Sequence, residues 1–343
     1  MSEEQAGRHL IVPIFITFQG CPHRCVFCQQ EKITSQSNLV TTPEAVTKTL
    51  ETALQSDRFD PGRRPEVAFY GGTFTGLPVE RMSALLGAVR PFLEKGLFAS
   101  IRVSTRPDAL DRQRLDLMKR CGVSTVELGV QSMDDGVLAL SRRGHSARDT
   151  VESVKLLGEC GFKVGIQLMP GLPGDSEETF LKTVETVKDL APDMVRLYPT
   201  IVIRGTELAR RYEEKRYTPW GLDETLNICK RSCVELEDSG IPVIRIGLMS
   251  SPSLDGEIVA GPWHNALGFL VRSAIHHDRI ARFLPVKGAA GGIRLRVPPK
   301  EIPLVRGYQN QGLRRIEERC ATKVVGVIPD DSVQSGQIAV DKV

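Results

Sequence analysis

The strongest constraint on the fold is an alternation of short apolar runs with longer amphipathic stretches over the first 250 residues. Strand-like runs that alternate with helix-like segments are typical of βα units on a parallel sheet. The runs are nearly continuously apolar, as in strands covered on both faces. They occupy residues 10–18, 66–72, 100–105, 125–132, 163–171 and 193–203, with one further candidate at 241–249. The sequence therefore predicts an α/β fold with six or seven such units, arranged as an open doubly wound sheet or as a partial barrel.

Helix-start signals lie between the strand-like runs. Thr42 precedes Pro43, which is a capping residue followed by proline at the first helical position. Pro91 falls inside the helix that is predicted to begin near Pro78, and we expect it to kink or end that helix. Other helices are predicted to begin near 107–108, Ser146, Ser176 and Asp223.

The 343 residues suffice for one large domain, or for one large and one small domain. The formal net charge of +3 is too small to predict nucleic-acid binding by itself and does not exclude it. The chain begins with a polar, acidic segment and has no apolar run of bilayer length, so we expect no signal peptide and no membrane segment. A cytoplasmic location follows, in which the eight cysteines are reduced thiols or metal ligands. Five of them are expected to be small buried apolar residues: Cys121, Cys160, Cys229, Cys233 and Cys320.

The other three, Cys21, Cys25 and Cys28, follow the first predicted strand in the segment "GCPHRCVFCQQ". A structural zinc site requires four ligands, and His23 lies too far inside the loop to complete a tetrahedron, while a catalytic disulfide requires only two cysteines. The C-x3-C-x2-C spacing instead suits three corners of a 4Fe–4S cluster whose fourth iron is free to bind a small molecule. A non-catalytic iron–sulfur or zinc protein is the alternative from another class.

This triplet, with Phe27 before its last cysteine, resembles that of the radical S-adenosylmethionine (SAM) enzymes. The segment "YGGTFTGLP" occupies the position of their Gly-Gly-Glu motif, with Thr73 where glutamate is usual. The segments "STRPDAL", "VELGVQSMDDGVL", "MPGLPGDSEETF" and "VRLYPTIVIRGTELA" resemble the radical-SAM half of the Elongator catalytic subunit, which also carries Gly-Gly-Thr-Phe. The resemblance runs from about Ile11 to about Leu208 and implies a partial (β/α)6 TIM-like barrel.

The resemblance also implies roles for individual residues. Cys21, Cys25 and Cys28 would ligate three irons of the 4Fe–4S cluster, and SAM would chelate the fourth and be cleaved reductively to a 5′-deoxyadenosyl radical. The residues expected to contact SAM are Phe27, Gly71, Gly72, Thr73, Ser104, Gln131, Arg143, Gln167 and Gly171.

Some of these SAM contacts depart from the family pattern. Ser104 replaces a common glutamate, and Gln167 stands where some relatives have Asp or His, although both side chains can hydrogen-bond a ribose. Arg143 suits a carboxylate, which its fork binds bidentately. Gly171 is compatible with a backbone approach to adenine or with a turn at the end of a strand.

The sequence changes character after residue 250. The predicted domains are 1–250, a radical SAM partial barrel; 251–290, a helical connector; and 291–343, a small α/β extension. The extension resembles a KH-like unit, in which a G-x-x-G loop clamps a nucleic-acid backbone, but Gly307 and Gly312 flank a longer loop. A small capping subdomain is the alternative interpretation.

By kinship, the expected reaction is modification of the wobble uridine of tRNA, with a reductant protein such as flavodoxin or ferredoxin as a further partner. About fifty residues follow "KGAAGG", too few for the acetyltransferase domain of the Elongator subunit. The alternative is oxidation of a tetrapyrrole or another small molecule, because the oxygen-independent coproporphyrinogen oxidases share "GVQS" and the R-G-H segment. Those enzymes usually carry a further cysteine where this chain has Gln30.

Overall fold

A computed structural model of the chain describes residues 10–34, 40–285 and 292–343. The described residues form two compact units. The first runs to Gly221 and also contains Leu236–Pro262, and the second contains Leu222–Glu235 and the described part of Trp263–Val343. The predicted connector, 251–290, is thus divided between the two units, and the "KGAAGG" segment lies almost entirely outside the described residues.

The strands of the first unit are β1 (Ile11–Phe15), β2 (Glu66–Tyr70), β3 (Ser100–Thr105), β4 (Val123–Gln131), β5 (Lys163–Leu168), β6 (Met194–Leu197), β7 (Val202–Ile203), β8 (Val243–Ile246) and β9 (Ile258–Ala260). The helices up to residue 255 are α1 (Gln30–Thr34), α2 (Pro43–Leu54), α3 (Val79–Glu94), α4 (Arg112–Arg120), α5 (Asp135–Leu140), α6 (Ala147–Glu159), α7 (Glu177–Leu190), α8 (Glu207–Glu213), α9 (Leu222–Asp238) and α10 (Pro252–Asp255).

Seven strands form one parallel sheet in the order β1-β2-β3-β4-β5-β6-β8. The order follows the chain, whereas a doubly wound sheet reverses direction at a switch point. The sheet is therefore that of a partial barrel, as the resemblance implied, and the candidate strand at 241–249 supplies the seventh member, β8. Because all strands are parallel, their carboxyl ends lie along one edge, where βα barrels carry their active sites.

Local sequence signals explain where several elements begin and end. Thr42 caps α2 by accepting a hydrogen bond from the Ala45 backbone, and Ser146 opens α6 with a capping box. Pro91 does not end α3, which continues for three further residues to Glu94. Among the described residues, none of the helices combines the length and the apolar character that a bilayer crossing requires.

The run predicted as one strand at 193–203 is interrupted. β6 ends at Leu197, and β7 pairs antiparallel with β9 instead of joining the main sheet. Between them, the Tyr198 N–H donates to the carbonyl of Leu168, the last residue of β5, and the Thr200 N–H donates to that of Pro170, while Pro199 has no N–H group to donate. The proline therefore breaks a continuous apolar run into two elements.

The second unit contains α11 (Leu267–Ile280), β10 (Ile293–Val297), α12 (Ile302–Arg306), α13 (Gln311–Cys320), β11 (Val324–Pro329) and β12 (Ala339–Lys342). Its three strands have the order β11-β10-β12, with β10 parallel to β11 and antiparallel to β12. Buried apolar residues from the sheet and the helices form its core, including Ile293, Leu295, Val305 and Ile316.

The two glycines of the predicted KH-like loop pack inside this unit. A Cβ atom on Gly312 would lie 2.4 Å from the Val305 carbonyl oxygen and 2.6 Å from Nε2 of His277. A Cβ atom on Gly307 would lie 2.7 Å from the Gly312 nitrogen. Close packing thus accounts for both glycines, which carry no independent argument for a nucleic-acid clamp.

Candidate functional site

A cavity of about 290 Å³ lies at the carboxyl ends of the strands in the first unit. Its lining contains the three cysteines of the N-terminal segment and most of the residues predicted to contact SAM. These are Cys21, Cys25, Cys28, Phe27, Gly71, Gly72, Thr73, Ser104, Gln131, Arg143 and Gln167. The fold therefore brings side chains from five consecutive strand ends to one place.

Gly171 is absent from the described lining of this cavity. Its φ of +82° is a conformation that favours glycine, and a Cβ atom there would lie 3.2 Å from the Trp220 ring. The Gly171 N–H donates to Asp175 at 2.9 Å, and the Gly171 carbonyl accepts from the Tyr217 hydroxyl at 2.6 Å. Gly171 thus lies in a turn after β5, outside the described lining of the cavity, and its contact with SAM stays a prediction.

The loop that carries the cysteines is fixed by its neighbours on both sides. Gly20 has a φ of +74°, and a Cβ atom there would lie 2.1 Å from the Thr73 carbonyl oxygen, so only glycine fits. Val26 is buried, with its N–H donating to Ser141 and its carbonyl accepting from Leu208. Anchoring of Val26 in the core holds the flanking Cys25 and Phe27 at the cavity.

Two thiols of this loop are harder to deprotonate than an exposed cysteine. Burial raises the pKa of Cys28 to about 12, with the neighbouring thiols adding to the effect, and burial also raises the pKa of Cys21. Metal binding to thiols displaces their protons. In the part of the chain that the structure describes, no group of three His, Cys, Asp or Glu side chains is placed to hold one metal ion.

Gln30 ties the cysteine loop to the glycine pair. Its Oε1 accepts hydrogen bonds from the backbone N–H groups of Phe18 and of Gly72, the latter at 2.9 Å. The sequence drew attention to this position only because coproporphyrinogen oxidases carry cysteine there. Nothing in the local pattern indicated that a glutamine would link two separate loops.

The two glycines differ in how closely other atoms surround them. A Cβ atom on Gly72 would lie 2.4 Å from the Gln19 carbonyl oxygen, so this glycine is required by the fold itself. A Cβ atom on Gly71 would meet nothing closer than the Gln30 side-chain oxygen, at 3.3 Å. Thr73 follows and is fully buried, with its hydroxyl 3.3 Å from the sulfur of Cys21.

Arg143 links strand β4 to the cysteine loop. It is buried, and its Nη1 donates to the Cys25 sulfur at 3.0 Å while Nη2 donates to the Gly129 carbonyl. Its Nε has no hydrogen-bond partner in the described structure. The fork is thus partly occupied by protein, and N–H groups on Nη1, Nη2 and Nε have no partner among the described residues.

The R-G-H segment around Arg143 is explained by packing. A Cβ atom on Gly144 would lie 2.2 Å from the His23 ring, whose Nε2 is 2.8 Å from the Arg143 carbonyl oxygen. His145 is buried, with Nε2 at 3.2 Å from the Val130 carbonyl oxygen. Burial, together with the Arg143 charge, lowers the pKa of His145 to about 3, so this ring is neutral at physiological pH.

Gln131 stands at a break in the regular pairing of β4 with β5. The register shifts between Gly129 and Gln131, and Gln131 has a φ of +72°, which is rare for a residue with a side chain. Its side-chain oxygen accepts from Gln167 Nε2 at 3.3 Å. The bulge aims the Gln131 side chain at the cavity wall, next to Gln167.

A network of buried charges lines part of the same cavity, and the sequence analysis did not detect it. Glu127 accepts a hydrogen bond from Arg102 Nη1 at 2.7 Å and pairs with Arg196 Nε at 2.8 Å. The Tyr70 hydroxyl donates to Glu127 at 3.1 Å and accepts from Arg196 at 2.8 Å, and burial raises its pKa well above the usual range. Arg196 also donates to the Tyr198 hydroxyl at 3.2 Å. The sequence feature that could have indicated this network is one charged residue within each of three mostly apolar runs: Arg102, Glu127 and Arg196.

Comparison with known proteins identifies the relatives of this chain. The profile of the radical SAM superfamily matches residues 15–187, and that of the radical SAM C-terminal domain matches residues 192–277. A tRNA uridine(34) acetyltransferase of Dehalococcoides mccartyi is 32% identical over 231 residues, covering 58% of this chain and 50% of that protein. An uncharacterized protein of Methanocaldococcus jannaschii is 26% identical over 284 residues, covering 80% of this chain and 84% of that protein.

Among solved structures, the archaeal Methanocaldococcus infernus Elp3 with an N-terminal deletion has a similar fold, with a TM-score of 0.60. It is 24% identical in sequence, and the match covers 78% of this chain and 63% of that one. This chain spans about half the length, or less, of the tRNA uridine(34) acetyltransferases that it matches.

Proposed function

Since the chain belongs to the radical SAM superfamily, we propose that it is an enzyme that cleaves S-adenosylmethionine reductively with a 4Fe–4S cluster and modifies the wobble uridine of tRNA. The observation that carries the proposal is the meeting of the cysteine loop, the glycine pair, Gln131 and Arg143 at one cavity. These four parts come from separate segments of the chain, and each is of the type that the superfamily uses at its active site.

The cofactors of the superfamily are the 4Fe–4S cluster and SAM. When bound, they supply an electron and the radical that removes a hydrogen atom from the substrate. The residues of this chain fit them: three thiols line one cavity, and the buried Arg143 Nε lacks a partner among the described residues. Cys21, Cys25 and Cys28 would hold the cluster.

Arg143 is a SAM-binding residue in this proposal. Its Nη1 contact with the Cys25 sulfur holds the guanidinium beside the cysteine loop. The described contacts use one N–H group on each Nη, so further N–H groups remain for the carboxylate of SAM. The bidentate grip expected from the sequence stays a prediction.

The remaining predicted contacts have complementary roles. Gly71 leaves room for the methionine part of SAM, because a side chain there would project beside Gln30. Ser104, Gln131 and Gln167 line the same cavity and are uncharged donors and acceptors for the ribose. Phe27 packs on the apolar cluster behind the loop and offers its ring to the adenosine. Enclosure by these groups keeps water from the radical.

The proposed substrate rests on the relatives. Two tRNA uridine(34) acetyltransferases match 58% and 64% of this chain, and the activity of those longer proteins is carried over here only as a proposal. Against oxidation of a tetrapyrrole, Gln30 is bonded to two backbone N–H groups at the position where coproporphyrinogen oxidases carry a further cysteine. A protein reductant such as flavodoxin or ferredoxin would supply the electron.

One experiment tests the proposed cofactor chemistry, and a second tests the proposed substrate. Anaerobically reconstituted protein should contain about four irons and four sulfides per chain and should release 5′-deoxyadenosine from SAM when reduced. Zinc in place of iron, or no deoxyadenosine, would exclude the radical SAM activity.

The substrate is tested by mass spectrometry of tRNA nucleosides from a strain that lacks the gene. A modified uridine should be missing and should return with the wild-type gene but not with a Cys25→Ala variant. An unchanged set of nucleosides would exclude tRNA as the substrate while leaving the cofactor chemistry intact.

A further inference from the structure

A second cavity, of about 560 Å³, lies in the second unit and is separate from the site described above. One wall is formed by α11 and the turn that follows it. Arg272, Arg279 and Arg282 are seven and then three residues apart, a spacing that places all three on the same face of a helical segment. The opposite wall contains Glu301 and the segment 335–337.

Both carboxylates at this cavity have partners. Asp278 lies 2.6 Å from Lys230 Nζ. Glu301 accepts hydrogen bonds from the Gly336 backbone at 3.0 Å and from the Ser335 hydroxyl, and it lies 3.7 Å from His276 Nδ1. Lys230 balances Asp278, so Glu301 remains as one negative charge against the three arginines of the lining.

Two of the three arginines, Arg279 and Arg282, have no carboxylate partner among the described residues. Arg279 forms no hydrogen bond or ion pair with any residue in the ranges the structure describes, and it is exposed. Arg282 is exposed as well, and its guanidinium lies 4.9 Å from the centroid of the Phe283 ring, a contact that leaves its N–H groups available. The cavity thus presents an excess of positive charge with free donors.

We propose that this cavity binds a phosphate group together with its attached sugar, as presented by the backbone of an RNA. Guanidinium groups match the oxygens of phosphate with paired hydrogen bonds. The volume is in the range of pockets that hold small organic ligands, larger than a bare phosphate requires. The choice of RNA rests on the proposed function, whereas the phosphate chemistry rests on the arginines alone.

The proposed phosphate site and the KH-like interpretation assign RNA binding to different residues of the second unit. That interpretation assigns RNA contacts to the Gly307–Gly312 loop. Arg314 and Arg315 lie on α13, directly after this loop, and are not in the described lining of the cavity. The two sets of arginines can therefore be removed independently.

The test is binding of total tRNA to the full-length protein over a series of salt concentrations. The variant Arg279→Ala/Arg282→Ala should bind about tenfold more weakly, and the slope of log K against log salt should fall by about two, one for each lost phosphate contact. Arg90→Ala/Arg148→Ala, which removes two exposed arginines from α3 and α6, is the control with the same charge change and should retain wild-type affinity and slope. Thermal unfolding confirms that each variant is folded.

Wild-type affinity of Arg279→Ala/Arg282→Ala, with weakened binding by Arg314→Ala/Arg315→Ala, would contradict the proposed phosphate site and support RNA binding at the Gly307–Gly312 loop.

If wild-type protein binds no tRNA, the RNA substrate of the proposed function fails, and the cavity is then tested with inorganic phosphate and adenosine monophosphate. His276 lines the same cavity, so its ring resonances, assigned with His276→Gln, should shift on titration. Such a shift would show that the cavity binds a free phosphate compound. Unchanged resonances would contradict the proposed phosphate site.

Discussion

The side-chain oxygen of Gln30 lies 2.9 Å from the backbone nitrogen of Gly72, so one glutamine joins the cysteine loop to the glycine pair across 42 residues of sequence. The same oxygen accepts from Phe18 N–H, at the beginning of the loop. Both partners line the cavity, as does Gln30 itself. The relative placement of the two loops therefore depends on a residue other than the three cysteines.

Replacement of Gln30 by alanine tests this link. The variant leaves two backbone N–H groups without their acceptor, and we expect the free energy of unfolding of the metal-free protein to fall by about 1–3 kcal/mol. Gln29→Ala is the matched control, since no hydrogen bond of the Gln29 side chain is found in the described structure. Urea denaturation measures both, and equal values for the two variants would contradict the linking role.

The cluster assignment predicts a sharp division among the cysteines. Cys21→Ala, Cys25→Ala and Cys28→Ala should each lose the visible absorption of the 4Fe–4S cluster and the release of 5′-deoxyadenosine, because a thiolate that holds one iron cannot be replaced by a methyl group. Cys229→Ala and Cys320→Ala alter cysteines that are buried away from the cavity and should retain iron. Loss of iron from either would mean that the ligands have been assigned wrongly.

Arg143→Ala separates the positioning of SAM from the assembly of the cluster. Removal of a charged donor should raise the KM for SAM by about tenfold to a hundredfold, the equivalent of about 1.5–3 kcal/mol. Iron content should remain near that of the wild type. Arg142→Ala removes the neighbouring exposed arginine and serves as the control. An unchanged KM in Arg143→Ala would assign this arginine to the structure of the loop alone.

The network around Glu127 predicts a large effect on stability. Glu127→Gln leaves the buried Arg196 without its carboxylate, while Arg102 keeps Glu66, and this should lower the free energy of unfolding by about 3–5 kcal/mol. Glu178→Gln, which breaks a fully exposed pair with Lys182, should leave the unfolding midpoint unchanged. Denaturant unfolding of both proteins compares them directly, and equal midpoints would show that the network is not needed for stability.

Asp175 predicts a dependence of stability on pH. Burial raises its pKa to about 7, compared with about 3.9 in an unfolded chain. The folded protein therefore holds a proton that the unfolded chain has lost between these values, and its stability falls as pH rises from about 4 to about 7. The effect should be on the order of 1 kcal/mol or more. Asp175→Asn should remove this slope, and a constant difference between the two proteins from pH 4 to pH 8 would contradict the assignment.

The sequence predicted the parts of the fold that depend on local pattern. β3 begins and ends at the predicted residues, because a strand buried on both faces has a composition that is recognisable without its partners. The break after Leu197 was missed although Pro199 was visible, since the apolar run continues on both sides of the proline. The side chains predicted to bind SAM lie around one cavity with the exception of Gly171, and their contacts with SAM stay a prediction.

Two parts of the site could not be predicted because they depend on which strands become neighbours. Glu127 pairs with Arg102, 25 residues away, and bonds to Arg196, 69 residues away, so its partners are decided by the register of the sheet. Gln30 likewise acquires its function only when the glycine pair is brought beside the cysteine loop. Each residue is polar in an unremarkable local setting, and only tertiary structure distinguishes it from a solvated side chain.

The seven-stranded sheet begins at β1 and ends at β8, and these two margins are not paired with each other. A ring of strands closed by hydrogen bonds would admit a ligand only along its axis. If the substrate is the proposed tRNA, the open side of the sheet would let a single residue of that polymer enter the cavity laterally, so turnover would require neither threading of a free end nor unfolding of the polymer.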